Sequence, residues 1–144
     1  MTPPPAITYR RGNDLELDAM IELYQASTLG ARRPVDDRST MAAMLANANL
    51  VITAWDGTLL VGISRSLTDF AYAAYLSDLA VRASHQHRGI GRALVRETRA
   101  ALGPRAAIVL LAAPAAEQYY PKIGFTHHPH AWVLRAEDPL TGEP

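Results

Sequence analysis

The chain has 144 residues, 49% of them hydrophobic, which is enough for one domain with a buried core. Its 14 basic and 14 acidic residues cancel, which argues against the broad positive field of a nucleic-acid-binding protein. It has no cysteine, which excludes disulfides, thiolate metal ligands and a cysteinyl acyl-enzyme. No signal peptide or membrane-spanning run is visible, so we expect a cytoplasmic location and no membrane partner.

The first half of the chain predicts a strand, two helices and a hairpin. Apolar residues spaced three and four apart mark the helices, and Ser39-Thr40 is the expected amino-terminal cap of the second. Asp56-Gly57 between two apolar runs is a strong hairpin signal. The expected elements are a strand at 7–10, helices that carry the apolar positions of 17–24 and 41–45, and strands at 50–55 and 59–64.

A third long strand is expected at 75–81, where side chains should alternate between two faces. The predicted faces are Tyr75, Ser77, Leu79 and Val81 on one side, and Leu76, Asp78 and Ala80 on the other. This alternation predicts that Asp78 points away from Ser77 and is a structural residue.

The segment after this strand, Gln86 to Gly91, has the pattern of a phosphate-binding loop. Two glycines at a strand-to-helix junction let the backbone approach a ligand closely, and the first N–H groups of a helix have no partner within it. The helix dipole is positive at that end, so the junction favours an anion. A P-loop is excluded because no Gly-Lys-Ser/Thr follows, and Leu94 stands where a dinucleotide fingerprint needs its third glycine.

Downstream of the loop, the pattern predicts a helix over 90–102 that ends at Gly103-Pro104, then an apolar strand at 107–112. A short helix carrying Tyr119 and Tyr120 should follow, ahead of Gly124-Phe125. The last two strands are expected at 125–127 and 131–135.

Two of these segments resemble the GNAT superfamily of acyl-CoA-dependent N-acetyltransferases. Gln86, Gly89 and Gly91 match its pyrophosphate loop, and 115–125 is similar to its last block, where a tyrosine precedes Gly-Phe. The resemblance implies an α+β fold: a central mixed, mostly antiparallel sheet with one parallel, splayed strand pair and helices on both faces. It also implies a single domain over 1–144 with an ordered core at about 7–135.

The function that the resemblance implies is direct transfer of an acetyl group from acetyl-CoA to the primary amine of a small molecule. Homodimers are common in this family. The loop would hold the pyrophosphate, and the main chain of the preceding strand would pair with the pantetheine arm. The implied cofactor-binding residues are Leu79, Ala80, Val81, Gln86, His87, Arg88, Gly89, Ile90, Gly91, Arg92 and Tyr120.

The resemblance also implies an acid for the reaction but leaves the base undecided. Tyr120 matches the family tyrosine, and a phenol with a pKa near ~10 can protonate a departing thiolate. Tyr75 and Ser77 stand where many relatives carry Glu or His, and neither is a good base at neutral pH. Three alternatives stay open: water ordered by Tyr75 and Ser77, a carboxylate from Asp36, Asp37 or Asp69, or a weakly basic acceptor amine that needs little help. His128 or His130 is a further candidate base.

Three further points follow from the residue types. A GNAT-like module that binds acyl-CoA without catalysis would explain the missing strand carboxylate, although Tyr120 favours an enzyme.

The acceptor side mixes residues suited to an acidic acceptor with residues suited to a cationic one: Arg32, Arg33 and Arg65 against Asp36, Asp37 and Asp69. His127, His128 and His130 read as a surface turn, so no metal site is predicted.

Overall fold

The computed structural model describes residues 6–142. Its strands, all between Thr8 and Val109, form one mixed sheet with helices on both faces. The amino-terminal residues 1–5, expected to be loose, and the last two residues lie outside the described part. The strands are β1 (Thr8–Arg11), β2 (Leu50–Asp56), β3 (Leu59–Thr68), β4 (Ala73–Val81) and β5 (Ala107–Val109). The α-helices are α1 (Leu17–Gln25), α2 (Arg38–Asn47), α3 (Ile90–Ala100) and α4 (Tyr119–Lys122), with 3-10 helices at Thr28–Arg32, Ala83–His85 and Pro114–Ala116.

The sheet has the strand order β1-β2-β3-β4-β5, so neighbours in the chain are also neighbours in space. The first four strands pair antiparallel, while β5 pairs parallel to β4 after the crossover through α3. This is the predicted arrangement, a mostly antiparallel sheet with one parallel pair. The fold class expected from the sequence is therefore confirmed.

The hydrophobic core lies on both faces of the sheet. On one face, Met20 and Leu23 of α1 are fully buried in a cluster with Ile63 of β3. On the other face, Ile90 and Leu94 of α3 pack on alternate residues of β2. A Cβ added to Gly62 of β3 would lie 2.9 Å from the Leu94 side chain, so the glycine lets α3 approach the sheet closely.

The start of α2 differs from the prediction by two residues. Asp37, not Ser39-Thr40, is the cap: its carboxylate accepts a hydrogen bond from the Thr40 N–H at 3.1 Å. Aspartate satisfies the same orphan N–H groups of a first helical turn as serine or threonine does. The helix therefore begins at Arg38.

The chain divides into two compact units, one ending at Leu111 and the other beginning at Ala112. The first contains the sheet and α1 to α3; the second contains the 3-10 helix Pro114–Ala116 and α4. The strands predicted at 125–127 and 131–135 are wrong, because these residues have no regular secondary structure and Trp132 is 92% exposed. A run with β propensity becomes a strand only where a neighbouring strand pairs with it.

Candidate active site

The loop between β4 and α3 turns sharply because two of its residues have a left-handed backbone. The φ angle is 63° at His87 and 80° at Gly89, which is the amino-terminal cap of α3. Glycine adopts this conformation without steric cost, whereas it strains a histidine. Left-handed residues in a turn bring successive N–H groups together into a concave donor surface for anions.

The main-chain donors of this loop are available to a ligand. None of the described residues accepts a hydrogen bond from the N–H groups of Gly89, Ile90, Gly91 or Arg92, and the first capping bond of the helix is Ala93 N–H to Gly89 O at 3.1 Å. The Arg88 and Arg92 side chains are exposed beside them. Four aligned N–H groups, a positive helix end and two guanidiniums together suit a phosphate group.

Side chains at the start of the loop hold it in place. Gln86 donates a hydrogen bond from its side-chain amide to the carbonyl oxygen of Val81 at 3.1 Å. The buried ring of His85 lies 2.9 Å from the Asp56 carboxylate in the β2–β3 turn and 2.7 Å from the Ser84 hydroxyl. No local sequence pattern predicts this contact, because His85 and Asp56 are 29 residues apart in the sequence.

One edge of β4 is open next to this loop. Pairing with β5 covers only Ala73 to Tyr75, opposite Ala107 to Val109, while β4 continues to Val81. On its other edge β4 stays paired with β3 through Val81. Alternate residues of an unpaired edge present N–H and C=O groups outward, and these groups can pair with an extended ligand that carries amides. Residues 79–81, which were predicted to pair with the pantetheine arm, lie on this edge.

A β-bulge at Ser77 overturns the predicted faces of β4. The pairing with β3 shifts by one residue, from Arg65 opposite Asp78 to Ser66 opposite Leu76. A bulge inserts an extra residue, so the alternation of side chains changes phase there. Consequently the Ser77 and Asp78 side chains do not point apart as predicted: both contact the Arg65 guanidinium.

Asp78 lies at the centre of a buried polar group, called here the Asp78 network, which consists of Tyr24, Arg33, Arg65, Ser77 and Asp78. The Asp78 carboxylate is fully buried and accepts hydrogen bonds at 2.6 Å from the Tyr24 hydroxyl, from Nε of Arg33 and from Nε of Arg65. The Ser77 hydroxyl donates to it at 3.2 Å and accepts from Arg65 at 2.9 Å. Arg33 also donates to the Ser77 carbonyl at 2.8 Å.

The ionisation of this network follows from its contacts. Burial alone raises the pKa of the Asp78 carboxyl, but hydrogen bonds and charge from Arg65, with hydrogen bonds from Tyr24 and Arg33, hold the net pKa below its usual value. Burial and the neighbouring Asp78 carboxylate raise the pKa of the Tyr24 phenol far above its usual value. Asp78 is therefore ionised and Tyr24 neutral at physiological pH. From the sequence alone, Tyr24 was predicted only as one of the apolar positions of the first helix.

Two of the three carboxylates considered as bases have structural partners instead. Asp37 caps α2, and Asp69 accepts hydrogen bonds from the N–H groups of Ala71, Tyr72 and Ala73 in the β3–β4 turn. Hydrogen bonds from these partners lower the pKa of both carboxyls. A carboxylate with a lowered pKa is a weaker base, so neither residue is tuned for proton abstraction.

The predicted acid, Tyr120, lies in the second unit, at the second residue of α4. Its ring makes edge-to-face contacts with Tyr119 and Phe125, with centroids 5.3 and 5.4 Å apart. The Phe125 N–H donates to the Tyr120 carbonyl at 3.1 Å, next to Gly124, whose φ angle is 107°. The matched block is therefore a compact turn that fixes the Tyr120 ring against Phe125.

The histidines of the second unit are exposed. His128 and His130 contact each other edge to face at 5.7 Å, and the His130 N–H donates to the His128 ring at 3.0 Å. Among residues 6–142 no three His, Cys, Asp or Glu side chains approach closely enough to hold a metal ion. Every helix in this part of the chain is too short or too polar to cross a lipid bilayer.

A surface concavity of about 270 Å³ lies away from the loop, between β1 and α3. It is lined by Tyr9, Arg10, Arg11, Ile52, Glu97, Ala100 and Ala101. It includes none of the residues 86–92, so the loop is not part of this concavity.

Comparison with known proteins gives one family match. The model of the acetyltransferase (GNAT) domain matches residues 47–127, more than half of the chain, from the end of α2 to the segment after α4. No protein of curated function matches the chain significantly.

Solved structures with the same fold include acetyltransferases with low sequence identity. A GNAT-family acetyltransferase from Streptococcus pneumoniae is 22% identical with a TM-score of 0.69, covering 90% of this chain and 99% of its own. An aminoglycoside N-acetyltransferase in complex with CoA is 16% identical with a TM-score of 0.70, covering 92% and 95%. An aminoglycoside acetyltransferase from an uncultured soil metagenomic sample, in complex with sisomicin, is 19% identical with a TM-score of 0.63, covering 94% and 97%.

Proposed function

Because the chain belongs to the GNAT acetyltransferase family, we propose that it transfers an acetyl group from acetyl-CoA directly to the primary amine of a small molecule. The observation that carries this proposal is the row of four main-chain N–H groups from Gly89 to Arg92, which have no acceptor among residues 6–142. Their position at a helix start suits the pyrophosphate of coenzyme A. The family match spans residues of both units, which supports the proposal that they act as one domain.

The proposed cofactor site uses the loop and the open edge of β4. Arg88 and Arg92 add charge against the phosphates, Gln86 fixes the shape of the loop through Val81, and His87 and Ile90 contribute main chain. The main chain of Leu79, Ala80 and Val81 pairs with the pantetheine amides in the manner of an added strand. An N–H of Leu79 or Ala80 then stabilises the developing oxyanion. Bound acetyl-CoA supplies the activated acetyl group as a thioester.

Proton transfer is the task of the side chains. Tyr120 donates the proton that a departing thiolate needs, since a phenol with an ordinary pKa near ~10 can supply one. Ser77 keeps one lone pair after accepting from Arg65, so it can orient water or an incoming amine. Tyr75, 40% exposed on the same strand, contributes a second hydroxyl to that task. Ser77 and Tyr75 thus order the water that removes the amine proton.

The acceptor is proposed to be a small-molecule amine rather than a nucleic acid or a membrane component. The chain has no net charge, so it lacks the field that draws polyanions to a protein. Two of the solved structures with this fold are aminoglycoside acetyltransferases, one of them in complex with sisomicin, which supports this class of acceptor. A cytoplasmic location and a homodimer, expected from the sequence, remain part of the proposal.

A second candidate function is binding of acyl-CoA without catalysis. The observation that favours it is the state of the carboxylates around β4. Asp78 is buried with four donors, and Asp37 and Asp69 serve as a cap and a turn residue. An enzyme then depends on water or on Asp36 for its base, whereas a sensor needs none.

The first experiment is a calorimetric titration with acetyl-CoA, with ATP and NAD as controls. We expect micromolar, selective binding of acetyl-CoA; equal or better binding of ATP or NAD would overturn the loop assignment. Thiol release with a panel of amines then separates the two functions. This assay has no protein background because the chain has no cysteine. Release that depends on the amine supports the enzyme, and binding without release supports the sensor.

Replacing the acid tests its role directly. We expect Tyr120→Phe to lower the rate of acetyl transfer about 100-fold, the lower end of what a general acid contributes, with unchanged acetyl-CoA affinity. Tyr119→Phe is the matched control, because it removes a neighbouring phenol and keeps the ring. If turnover of Tyr120→Phe equals that of the wild type, Tyr120 is not the acid.

A further inference from the structure

The Asp78 network contains two positive charges and one negative charge. Arg33 and Arg65 both form ion pairs with Asp78, and no other carboxylate of residues 6–142 forms an ion pair with either arginine. Tyr24 is a neutral donor, so it adds no negative charge. Buried charges are normally balanced by partners of opposite sign, because desolvating an unbalanced charge is costly.

The protein compensates for part of this excess at Arg65. Its Nη1 donates at 3.1 Å to the Met44 carbonyl, which lies in the last turn of α2, where the helix dipole is equivalent to about half a negative charge. The Arg65 side chain is only 7% exposed, and its three nitrogens all have acceptors. The uncompensated positive charge therefore resides on Arg33, whose side chain is 23% exposed.

Arg33 still has N–H groups to offer. Nε donates to Asp78, Nη1 to the Arg32 carbonyl and Nη2 to the Ser77 carbonyl. A guanidinium has five N–H groups, so each terminal nitrogen keeps a second one, and no described residue accepts from it. Two such N–H groups on neighbouring nitrogens form the fork that binds a carboxylate through both oxygens.

The position of Arg33 ties this fork to the proposed reaction. The residue follows the 3-10 helix Thr28–Arg32, which packs so closely on α1 that a Cβ at Gly30 would lie 2.6 Å from the Tyr24 carbonyl. Its hydrogen bond reaches the bulge residue Ser77, two residues after the pairing of β4 with β5 ends at Tyr75. The guanidinium is thus fixed in space beside the open edge of β4.

We propose that Arg33 binds a carboxylate of the acceptor, so that the substrate is an amine that also carries an acidic group. This inference rests on the proposed acetyltransferase function, which it extends to a substrate class. The carboxylate balances the excess charge of the Asp78 network and uses the remaining N–H groups of Arg33. It also holds the amine near Ser77. The Asp37 carboxylate is engaged elsewhere, because it accepts hydrogen bonds from Ser39 and Thr40 at the start of α2.

The test compares two amines of equal length, γ-aminobutyrate and n-butylamine, in the acetyl-transfer assay. We expect the wild-type protein to prefer γ-aminobutyrate, and Arg33→Gln to lower that preference in kcat/KM about tenfold, mostly through KM. Arg33→Lys, which keeps the charge but loses the fork, should retain part of the preference. Arg99→Gln, which removes an exposed charge on α3, should leave the preference unchanged.

The preference ratio separates recognition from general damage, because a destabilised enzyme loses activity on both amines equally. An unaltered ratio in Arg33→Gln, or a wild-type protein that prefers n-butylamine, would overturn the inference while leaving the acetyltransferase function intact. If acetyl-CoA does not bind at all, that function fails instead. Calorimetric titration of γ-aminobutyrate into the wild type and Arg33→Gln then decides about Arg33: binding weakened about tenfold supports its role, and equal or absent binding contradicts it.

Discussion

Two polar centres lie along β4, and they differ in whether their hydrogen-bonding groups have partners within the protein. In the Asp78 network, every side chain has a partner inside the protein, and the carboxylate has no exposure to solvent. In the loop from 86 to 92, four successive main-chain N–H groups have no acceptor among the described residues, and the adjacent guanidiniums are exposed.

The difference separates stability from binding. The ion pairs around the buried Asp78 carboxylate contribute to the fold, because removing one member leaves the others desolvated and unpaired. A row of oriented, unpaired donors at the surface contributes little to the fold but is prepared for an anion. Arg33 combines both properties, since it belongs to the Asp78 network and its side chain is still partly exposed. Variants in the two centres should therefore have separable effects.

The largest effect is expected at the centre of the network. Asp78→Asn removes the negative charge and leaves Arg33 and Arg65 without a counterion, so we expect a loss of about 3–5 kcal/mol in the free energy of unfolding. Urea denaturation measures it. Asp18→Asn is the matched control, because it breaks an ion pair with Arg38 at the exposed surface and should cost little. A loss at Asp78 no larger than at Asp18 would contradict a structural role.

A slightly smaller effect, on binding rather than folding, is expected in the loop. In Gly91→Val a branched side chain crowds the phosphate position, and we expect acetyl-CoA affinity to fall about 100-fold, or ~3 kcal/mol. Valine is no worse than glycine within a helix, so the free energy of unfolding should not decrease. Calorimetry and urea denaturation measure both, with Ala100→Val at the far end of α3 as the control. Wild-type affinity in Gly91→Val would remove the loop from the cofactor site.

Lowering the pH should remove part of the unfolding free energy that the Asp78→Asn substitution removes. Since its partners hold the folded-state pKa of Asp78 below the ordinary value, its contribution is fully present above the unfolded pKa of about 3.9. It is lost as the pH falls from there through the lower folded pKa. The stability difference between the wild type and Asp78→Asn should therefore shrink between pH 5 and pH 3. A difference that stays constant over this range would show that Asp78 does not titrate as described.

The same contrast explains what the sequence could predict. The loop was predictable because its signal is local: a strand, two glycines and an amphipathic helix follow one another within twenty or so residues. The sheet and both helix layers follow from the same kind of periodicity. Two carboxy-terminal strands were predicted wrongly because the short runs at 125–127 and 131–135 have strand-like composition, and composition alone does not supply a pairing partner.

The Asp78 network could not be predicted because its contacts join distant parts of the chain. Tyr24, Arg33 and Arg65 reach Asp78 from three separate elements, and no spacing rule connects them. The β-bulge is a second reason why the network could not be predicted from the sequence. Period-two alternation assumes an unbroken register, so one inserted residue at Ser77 moved that side chain to the face of Asp78.

The smallest effects are expected at two serines of β3, which test whether a hydrogen-bond partner decides what a buried hydroxyl contributes to stability. Ser64 and Ser66 are both fully buried, but the Ser64 hydroxyl lies 2.7 Å from the Thr98 hydroxyl, whereas no described residue bonds the Ser66 hydroxyl. We expect Ser64→Ala to cost about 1 kcal/mol in the free energy of unfolding and Ser66→Ala to be neutral or stabilising by up to ~1 kcal/mol. Equal losses in urea denaturation would mean that pairing does not distinguish the polar groups of this sheet. If Ser64→Ala lowers the free energy of unfolding and Ser66→Ala raises it, single hydroxyl groups follow the same distinction as the Asp78 network and the loop: paired groups stabilise the fold and unpaired groups do not.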